Sequence, residues 1–295
     1  MPYHAESLGL SGGVTAILRD LIHERLGLMY EPHQFEQVAD RLAPRVVAHG
    51  LGSFMDYYYL LKYSSDPAEW LEVIDALAVQ ETYFWREIDQ LRSIVALIVP
   101  QLVSALNGRT LRIWSIPCAS GEEPLSIAML LDEAGWLARA PIDIVASDAS
   151  PAAIEKARVG RYTQRSFRNL PPAMRERYFV PHEDAWQVDP ALQRRVSYDV
   201  VNLMAEDEVA RHASAPVIFC RNVFIYFSDR SIRRALSVFE RLMPSPGYLC
   251  VAAAESLLKR TTMFELQEIG GAFMYVKHGN AAETSGPLRS VERAS

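Results

Sequence analysis

The sequence predicts an α/β fold, in which a doubly wound parallel sheet follows a small all-helical domain. In the N-terminal third of the chain, apolar residues recur at helical spacing and no segment alternates with a period of two. From Leu111 onward, short β-favouring runs alternate with helical segments, which is the pattern of strands joined by crossover helices. We therefore expect a helical domain and linker over residues 1–88, an α/β domain over 89–279, and a disordered polar tail over 280–295.

The predicted helical domain has recognisable helix boundaries. An apolar stripe at helical spacing lies within residues 33–49 and consists of Phe35, Val38, Leu42 and Val46. Ser53 is typical of the N-cap of the next helix, which carries the aromatic cluster at 57–59. Asp66-Pro67 then opens a further helix that we expect to run through Leu77.

The α/β domain is predicted from short apolar runs separated by helices. The expected strands are 111–116, 142–147, 217–220, 248–253 and, as a final edge strand, 273–277. Helices are expected to begin near Glu123, at Ser150-Pro151 and near Asp229. Residues 161–199 lack clear periodicity and a hairpin signal, so we expect a small excursion from the sheet there.

Composition favours a soluble cytoplasmic protein. The chain has 295 residues, of which 49% are hydrophobic, and its formal net charge of −6 disfavours a nucleic-acid substrate. No apolar run approaches the roughly twenty residues that span a bilayer, and the N-terminus lacks the pattern of a secretory signal. The three cysteines, Cys118, Cys220 and Cys250, form no Cys-x-x-Cys pair, so we expect neither a disulfide framework nor a thiolate zinc site. The histidines are scattered, and nothing in the sequence argues for a metal site of another kind.

The turn after the first predicted strand indicates the charge of a ligand. Ala119, Ser120 and Gly121 are small enough to let the backbone approach a bound molecule, and Glu122 and Glu123 follow at the start of a helix. The two carboxylates would repel a phosphate and attract an ammonium or sulfonium group. The absence of Gly-x-Gly-x-x-Gly also argues against a dinucleotide. The alternative is that both acids only complement the helix dipole.

Asp148 closes the second predicted strand, at the edge where open α/β sheets bind ligands. A carboxylate in that position can accept hydrogen bonds from the two hydroxyls of a ribose. A cap at the entry of the next helix is an equally good explanation of this residue alone.

Two further stretches combine polar and aromatic residues at predicted element ends. One runs from Cys220 to Phe227, where Asn222 can donate and accept hydrogen bonds and Tyr226 places a hydroxyl in an apolar segment. The other runs from Gln80 to Arg86, and its aromatic residues suit either a lid over a ligand or a core between domains.

Five ordered motifs resemble those of the CheR-type chemoreceptor methyltransferases, the protein-glutamate O-methyltransferases of bacterial chemosensory systems. They are Gln80 to Arg86, Cys118 to Ser126, Ala146-Ser147-Asp148, Asn202-Leu203 and Cys220 to Phe227, and the match covers roughly residues 14–278. Five motifs in the family's order make chance agreement very improbable. The resemblance implies a Rossmann-like methyltransferase domain, with S-adenosylmethionine as cofactor and S-adenosylhomocysteine as its product.

The resemblance implies a role for each matched residue in cofactor binding. Gln80, Thr82 and Arg86 would line the methionine end of the cofactor and the mouth of the site, and Glu123, with Glu122 nearby, would face the amino group.

The other matched residues would hold the rest of the cofactor. Asp148 would bind the ribose, Asn202 and Leu203 would flank the adenine, and Arg221-Asn222 would lie by the methionine moiety.

Arg86 and Tyr226 are the catalytic candidates that the resemblance implies. The substrate glutamate is ionised at neutral pH, so no general base is needed and positioning decides the rate. We expect Arg86 to orient the carboxylate through a charge-assisted hydrogen bond and Tyr226 to wall the path of the methyl group.

Several residues depart from the family's motifs. Gln80 replaces an asparagine, Pro117 stands where glycine or alanine is usual, Ala119 replaces a serine, and Leu125 replaces a tyrosine. These departures leave open a second hypothesis, a cofactor-binding regulatory protein with weakened catalysis. A methyltransferase acting on nucleic acid or a small molecule is disfavoured by the acidic charge and by the absence of an Asn/Asp-Pro-Pro-Tyr-type motif.

The implied partner is the cytoplasmic helical bundle of a chemoreceptor-like protein, with no nucleic acid and no direct membrane insertion. Arg41, Arg45 and His49 fall on one helix face that could meet an acidic receptor region, although a solvated face is the more frequent explanation. The 161–199 excursion corresponds to the family's small β-subdomain, and its lack of a hairpin signal argues against docking of a receptor's C-terminal pentapeptide.

Overall fold

The computed structural model describes residues 8–64 and 67–278, so the predicted tail over 280–295 lies outside the described residues. The helical domain contains α1 Gly12–Leu26, α2 Phe35–Ala48, α3 Phe54–Tyr63 and α4 Ala68–Leu77. The predicted N-cap of α3 is confirmed, because Ser53 Oγ accepts a hydrogen bond from Asp56 N at 3.2 Å. Apolar side chains from all four helices form one core, which includes Leu18, Ile22, Phe35, Leu42, Phe54 and Leu77.

The basic residues predicted to share one face of α2 make ion pairs and hydrogen bonds within the helical domain. Arg45 and His49 bind the buried carboxylate of Glu69 on α4, at 2.5 Å from Arg45 Nη2 and 2.6 Å from His49 Nε2. Tyr57 from α3 donates its hydroxyl to the same carboxylate at 2.5 Å. Arg41 donates to the carbonyl of Ala78 at 2.9 Å. The stripe is therefore neither a free basic surface nor a simple solvated face.

Ten strands occur in the described residues and form two sheets. They are β1 Leu111–Ser115, β2 Ile142–Asp148, β3 Arg161–Tyr162, β4 Phe179–His182, β5 Ala185–Val188, β6 Val196–Val200, β7 Val217–Phe219, β8 Gly247–Cys250, β9 Phe264–Ile269 and β10 Ala272–Lys277. The main sheet has the order β6-β2-β1-β7-β8-β10-β9. Its first five strands pair in parallel, whereas β10 pairs antiparallel with β8 and with β9.

Helices cover both faces of the main sheet, which confirms the doubly wound fold. The remaining helices are α5 Ile88–Ser93, α6 Val99–Leu106, α7 Glu122–Glu133, α8 Trp136–Arg139, α9 Pro151–Val159, α10 Pro172–Tyr178, α11 Pro190–Gln193, α12 Glu206–Ala210 and α13 Asp229–Leu242. One apolar core joins α5–α7 and α9 to the sheet, and a second joins α12 and α13 to its other face. Each face of the sheet is thus removed from water by its own layer of helices.

Three sequence-based expectations about the sheet are wrong in detail. The predicted edge strand at 273–277 lies between β8 and β9, and β9 is the edge. The 161–199 excursion extends too far, because β6 belongs to the main sheet. The excursion also contains a hairpin, since β4 pairs antiparallel with β5 and β5 with β3.

The stretch Ile88–Leu106 is long and apolar enough to cross a membrane by length and composition alone, which contradicts the expectation that no run approaches this length. It consists of α5, a π-helical turn over Ile94–Ile98, and α6. Leu91, Ile98 and Leu102 pack into the sheet's core. Packing against the sheet accounts for the apolar face of this stretch.

Candidate functional site

A cavity of about 570 Å³ lies where the parallel strands end, and the helical domain covers it. Its floor comes from the segments that follow β1, β2, β6 and β7, the edge at which open α/β sheets bind ligands. Residues from α1, α2 and α4 and from the 28–30 segment form the opposite wall. The predicted site residues that line it are Gln80, Thr82, Arg86, Glu123, Asp148, Asn202, Leu203, Arg221, Asn222 and Tyr226.

Glu122 is the predicted site residue that the structure places away from this cavity. Its buried carboxylate accepts hydrogen bonds from Ser120 Oγ at 2.8 Å and Ser166 Oγ at 2.9 Å. Successive helical residues point in directions about 100° apart, so only one of two neighbouring glutamates can face the ligand. Glu122 instead links the turn after β1 to the segment before α10 and does not line the cavity, so its role in cofactor binding stays a prediction.

The turn after β1 requires glycine at position 121. Gly121 has φ +95°, and a Cβ there would lie 3.0 Å from Ala157 Cβ and 3.1 Å from Tyr162 Oη. The backbone conformation makes any larger residue strained, and a Cβ would also need the neighbouring atoms to shift. This turn places the N-terminus of α7 next to the cavity.

Asp148 stands at the end of β2 and organises the same turn. Its Oδ2 accepts the N–H of Ala119 at 2.9 Å, and its Oδ1 accepts the N–H of Ser150 at 2.9 Å. Burial raises the pKa of Asp148, and these backbone donors oppose the rise. Each carboxylate oxygen keeps a second acceptor position, which a pair of ligand hydroxyls can use.

Glu123 and Arg221 form an ion pair beside the cavity. Arg221 Nη1 lies 3.1 Å from Glu123 Oε2, and Ser115 Oγ donates to Glu123 Oε1 at 2.7 Å. Burial raises the pKa of Glu123, while Arg221 and Ser115 oppose the rise. Arg221 Nη2 also donates to the carbonyl of Arg86 at 2.8 Å, which links the strand end to the 80–86 segment.

The 80–86 segment lines the cavity with residues that are at least partly exposed, and we call this stretch its mouth. Gln80 Oε1 accepts a hydrogen bond from Lys156 Nζ at 2.8 Å. Arg86 Nη1 donates to the carbonyl of Glu81 at 2.7 Å, and the Arg86 guanidinium lies 5.6 Å from the ring centre of Tyr83. Thr82 lies on the same wall.

Contacts between the two domains hold the covering wall in place. Met29 N donates to the carbonyl of Tyr226 at 2.8 Å, and Leu28 forms a β-bridge with Phe227. Asn202 Nδ2 donates to the carbonyl of Arg25 at 3.0 Å. The amide of Asn202 is therefore already bonded to the helical domain, whereas Leu203 contributes an apolar side chain to the cavity.

Glu255 is a buried residue near the site that the sequence did not indicate. Its carboxylate accepts backbone N–H groups from Asn222 at 2.8 Å, Phe224 at 2.7 Å, Ile225 at 3.3 Å and Ala252 at 2.9 Å. Because its partners are backbone amides, no side-chain motif could have identified it.

Residues of the helical domain also line the cavity without having been predicted. Tyr30 and Arg41 are among them, and the 28–30 segment that carries Tyr30 is apolar but follows the end of α1. Burial raises the pKa of Tyr30, the charge of Arg41 opposes the rise, and the Tyr226 hydroxyl adds to it. The apolar character of the 28–30 segment, outside any helix, was the one feature of the sequence that could have indicated its place at the cavity.

Three cysteine thiols lie at the ends of adjacent central strands. Cys118 follows β1, Cys220 follows β7 and Cys250 ends β8, and all three are free and buried. Burial raises the pKa of each thiol, to about 12 for Cys250. In residues 8–64 and 67–278, no group of three or more His, Cys, Asp and Glu side chains is arranged to hold a metal ion.

Comparison with protein-family models assigns both parts of the chain. Residues 16–78 match the model described as "CheR methyltransferase, all-alpha domain". Residues 80–272 match the model described as "CheR methyltransferase, SAM binding domain". The boundary between the two matches lies at the start of the segment that forms the cavity mouth.

Three curated relatives are similar over most of the chain. A chemotaxis protein methyltransferase 2 from Vibrio cholerae is 36% identical over 88% of this chain and 91% of its own length. A chemotaxis protein methyltransferase from Escherichia coli is 31% identical over 89% of this chain and 91% of its own length. A probable biofilm formation methyltransferase WspC from Pseudomonas putida is 33% identical over 92% of this chain, which spans 64% of that relative.

Proposed function

Because the chain belongs to the CheR methyltransferase family, we propose that it transfers a methyl group from S-adenosylmethionine to glutamate side chains of a chemoreceptor-like protein. The product would be a glutamate methyl ester, which makes the chain a protein-glutamate O-methyltransferase. The observation that carries the proposal is that one cavity brings together Asp148, the Glu123–Arg221 pair, Arg86 and Tyr226.

The residues of the cavity fit S-adenosylmethionine. The volume of about 570 Å³ lies in the usual range for small-molecule sites, roughly 300–1,000 Å³. Asp148 would accept the ribose hydroxyls, and the Glu123 carboxylate would face the positive charge of the methionine end. Arg221 is itself paired with Glu123 and Glu87, so we propose that it orients Glu123.

The bound cofactor supplies a methyl group that is already activated by its sulfonium charge. The protein's own contribution is to orient the substrate carboxylate and to exclude water from the site. Arg86 would hold the substrate carboxylate in line with that methyl group, and Tyr226 would close the path against water. The substrate glutamate is ionised at neutral pH, so the chain needs no base at this point.

Transfer from radiolabelled S-adenosylmethionine to the cytoplasmic fragment of a chemoreceptor from the same organism tests the reaction. We expect label that mild alkali releases as volatile methanol, because carboxyl methyl esters hydrolyse and N-methyl groups do not. Label that resists alkali contradicts glutamate esterification. Binding of S-adenosylhomocysteine without any transfer to receptor fragments favours the regulatory alternative instead.

Calorimetric titration with S-adenosylhomocysteine tests the cofactor site. We expect one-to-one binding that Asp148→Ala weakens at least about tenfold, since one lost charge-assisted hydrogen bond costs about 1.5–3 kcal/mol. Asp143→Ala is the matched control, because Asp143 lies on the same strand but pairs with Arg112 at 2.9 Å. Equal weakening in both variants would remove Asp148 from the proposed site.

The role of Arg86 is separable from cofactor binding. We expect Arg86→Ala to lower receptor methylation by roughly 10²-fold, the usual cost of misplacing a reacting group by about 1 Å. The Kd for S-adenosylhomocysteine should change much less. Arg92→Ala is the control, since Arg92 is 57% exposed and its guanidinium lies 3.7 Å from Asp89. Normal turnover in Arg86→Ala would contradict the role.

A further inference from the structure

A basic rim lies beside the mouth of the cavity and has no part in the cofactor site described above. We define it as Arg165 and Arg168, which precede α10, together with Lys156 on α9. All three side chains are exposed. Lys156 binds Gln80, and both arginines bind Glu81, so the rim is attached to the segment that forms the mouth.

Tyr83 connects the rim to the proposed reaction centre. The Arg168 guanidinium carbon lies 3.6 Å from the centre of the Tyr83 ring, and that of Arg86 lies 5.6 Å from the same point. Tyr83 and Arg86 both line the cavity. Arg168 and Arg86 therefore share Tyr83 as a neighbour.

The rim carries more positive charge than its acidic partner neutralises. The Glu81 carboxylate binds both Arg165 and Arg168. The hydrogen bond from Arg168 lowers the pKa of Glu81, burial opposes this, and the charge of Arg165 acts in the same direction as Arg168. Each guanidinium has five N–H donors, so both arginines keep donors for a second anion. This surplus stands out in a chain with a formal net charge of −6.

We propose that Arg165 and Arg168 bind an acidic side chain of the partner protein, about one helical turn from the glutamate that is methylated. On a helix, residues i and i+4 have Cβ atoms about 6 Å apart, a spacing that can offer one carboxylate to Arg86 and the other to Arg168. Glu81 keeps its contacts with the two arginines, and the partner's carboxylate uses their remaining N–H donors. This inference rests on the proposed glutamate substrate.

The probe is fluorescein-labelled poly-L-glutamate, with anisotropy measured on the protein saturated with S-adenosylhomocysteine. Measurement at about 0.01 M ionic strength, where the Debye length is about 30 Å, keeps exposed charges visible. We expect Arg165→Glu with Arg168→Glu to weaken binding about tenfold or more. Arg194→Glu with Arg195→Glu is the matched control, because it makes the same charge change at exposed residues that lie outside the cavity.

A substitution that is expected to strengthen binding distinguishes an effect of charge from an effect of misfolding. Glu81→Gln should tighten the binding of poly-L-glutamate several-fold, since it removes the internal carboxylate, and misfolding cannot produce a gain. Titration of each variant with S-adenosylhomocysteine reports the cofactor site independently. Failure of the proposed function is recognised separately, as the absence of alkali-labile methyl transfer by the unmodified protein. Unchanged poly-L-glutamate affinity in the rim variant, equal loss in the control, or an oligothymidylate that binds with the same dependence on Arg168 overturns the proposal.

Discussion

The Glu255 carboxylate shows how a single buried side chain shapes the proposed site. It binds N–H groups on both sides of Val223, and it joins that loop to the end of β8 through Ala252. Asn222 has φ +61°, in the left-handed region that asparagine adopts more readily than most other non-glycine residues. We infer that Glu255 is a positioning residue, which acts through the loop that carries Asn222 and Tyr226.

Replacement of Glu255 by Gln tests this role. The amide keeps the size of the side chain but turns one acceptor into a donor that faces backbone N–H groups. We expect the free energy of unfolding in urea to fall by about 1–3 kcal/mol, and kcat for methyl transfer to fall more than KM rises. Glu265→Gln is the control, since the Glu265 side chain is 68% exposed. A loss of stability with unchanged kcat would leave Glu255 a purely structural role.

For single residues, the sequence predicts where a residue lies in the fold better than it predicts where its side chain points. Asp148 could be placed at the cavity edge because it ends an apolar run that reads as a strand. Glu122 and Glu123 could not be separated, because their directions depend on where α7 begins and on the left-handed backbone of Gly121. Glu255 bonds to backbone, so it has no partner that a motif could reveal.

Between elements, the Glu69 carboxylate joins α2, α3 and α4. Burial alone would raise the pKa of Glu69, but hydrogen bonds from Arg45, Tyr57 and His49 lower it below the usual value of 4.5. A carboxyl whose pKa is lower in the folded protein stabilises the fold above its unfolded pKa. That stabilisation is lost as the pH falls through the folded value.

Glu69→Gln should therefore have an effect that depends on pH. We expect the variant to be less stable than the unmodified protein by on the order of 2 kcal/mol at pH 7, with the difference shrinking as the pH falls below about 4.5. Urea unfolding followed by circular dichroism measures both values. Glu72→Gln, at a residue that is 54% exposed and lies 3.1 Å from Arg45, should cost less than about 1 kcal/mol. A difference between Glu69→Gln and the unmodified protein that is constant from pH 7 to pH 3 would contradict this account.

Helices and strands with a clear pattern of apolar residues were predicted from the sequence. Strands that are stabilised mainly by pairing with a neighbouring strand were not. α2 and the buried strands β1, β2 and β7 follow from apolar periodicity or continuous apolar runs. The short strands β4 and β5 stabilise each other across a hairpin, and β9 has exposed polar residues on an edge. Cross-strand pairing of this kind leaves little trace in the sequence of either strand.

For the whole molecule, the cavity lies between the two domains, so ligand binding should stabilise both. Val38 of α2 and Leu77 of α4 line it together with Asp148 of β2. A ligand present at one hundred times its Kd stabilises the folded state by about 2.7 kcal/mol. We expect S-adenosylhomocysteine to slow amide hydrogen exchange in α2 and α4 as well as in the α/β domain.

Hydrogen exchange monitored by mass spectrometry measures this coupling. The Asp148→Ala variant at the same ligand concentration is the control and should show little added protection. Protection confined to the α/β domain would mean that the helical wall does not sense the ligand.

The buried thiols of Cys118, Cys220 and Cys250 should react slowly with alkylating reagents in the native protein. Only a thiolate exposed to solvent reacts with alkylating reagents, and burial together with a raised pKa withholds that species from all three sulfurs. Cys118 also lines the cavity, so alkylation of Cys220 or Cys250 is the event that reports an opening at the ends of β7 and β8. The rate at which alkylation adds mass to these cysteines therefore measures how often the strand ends open, without any engineered label.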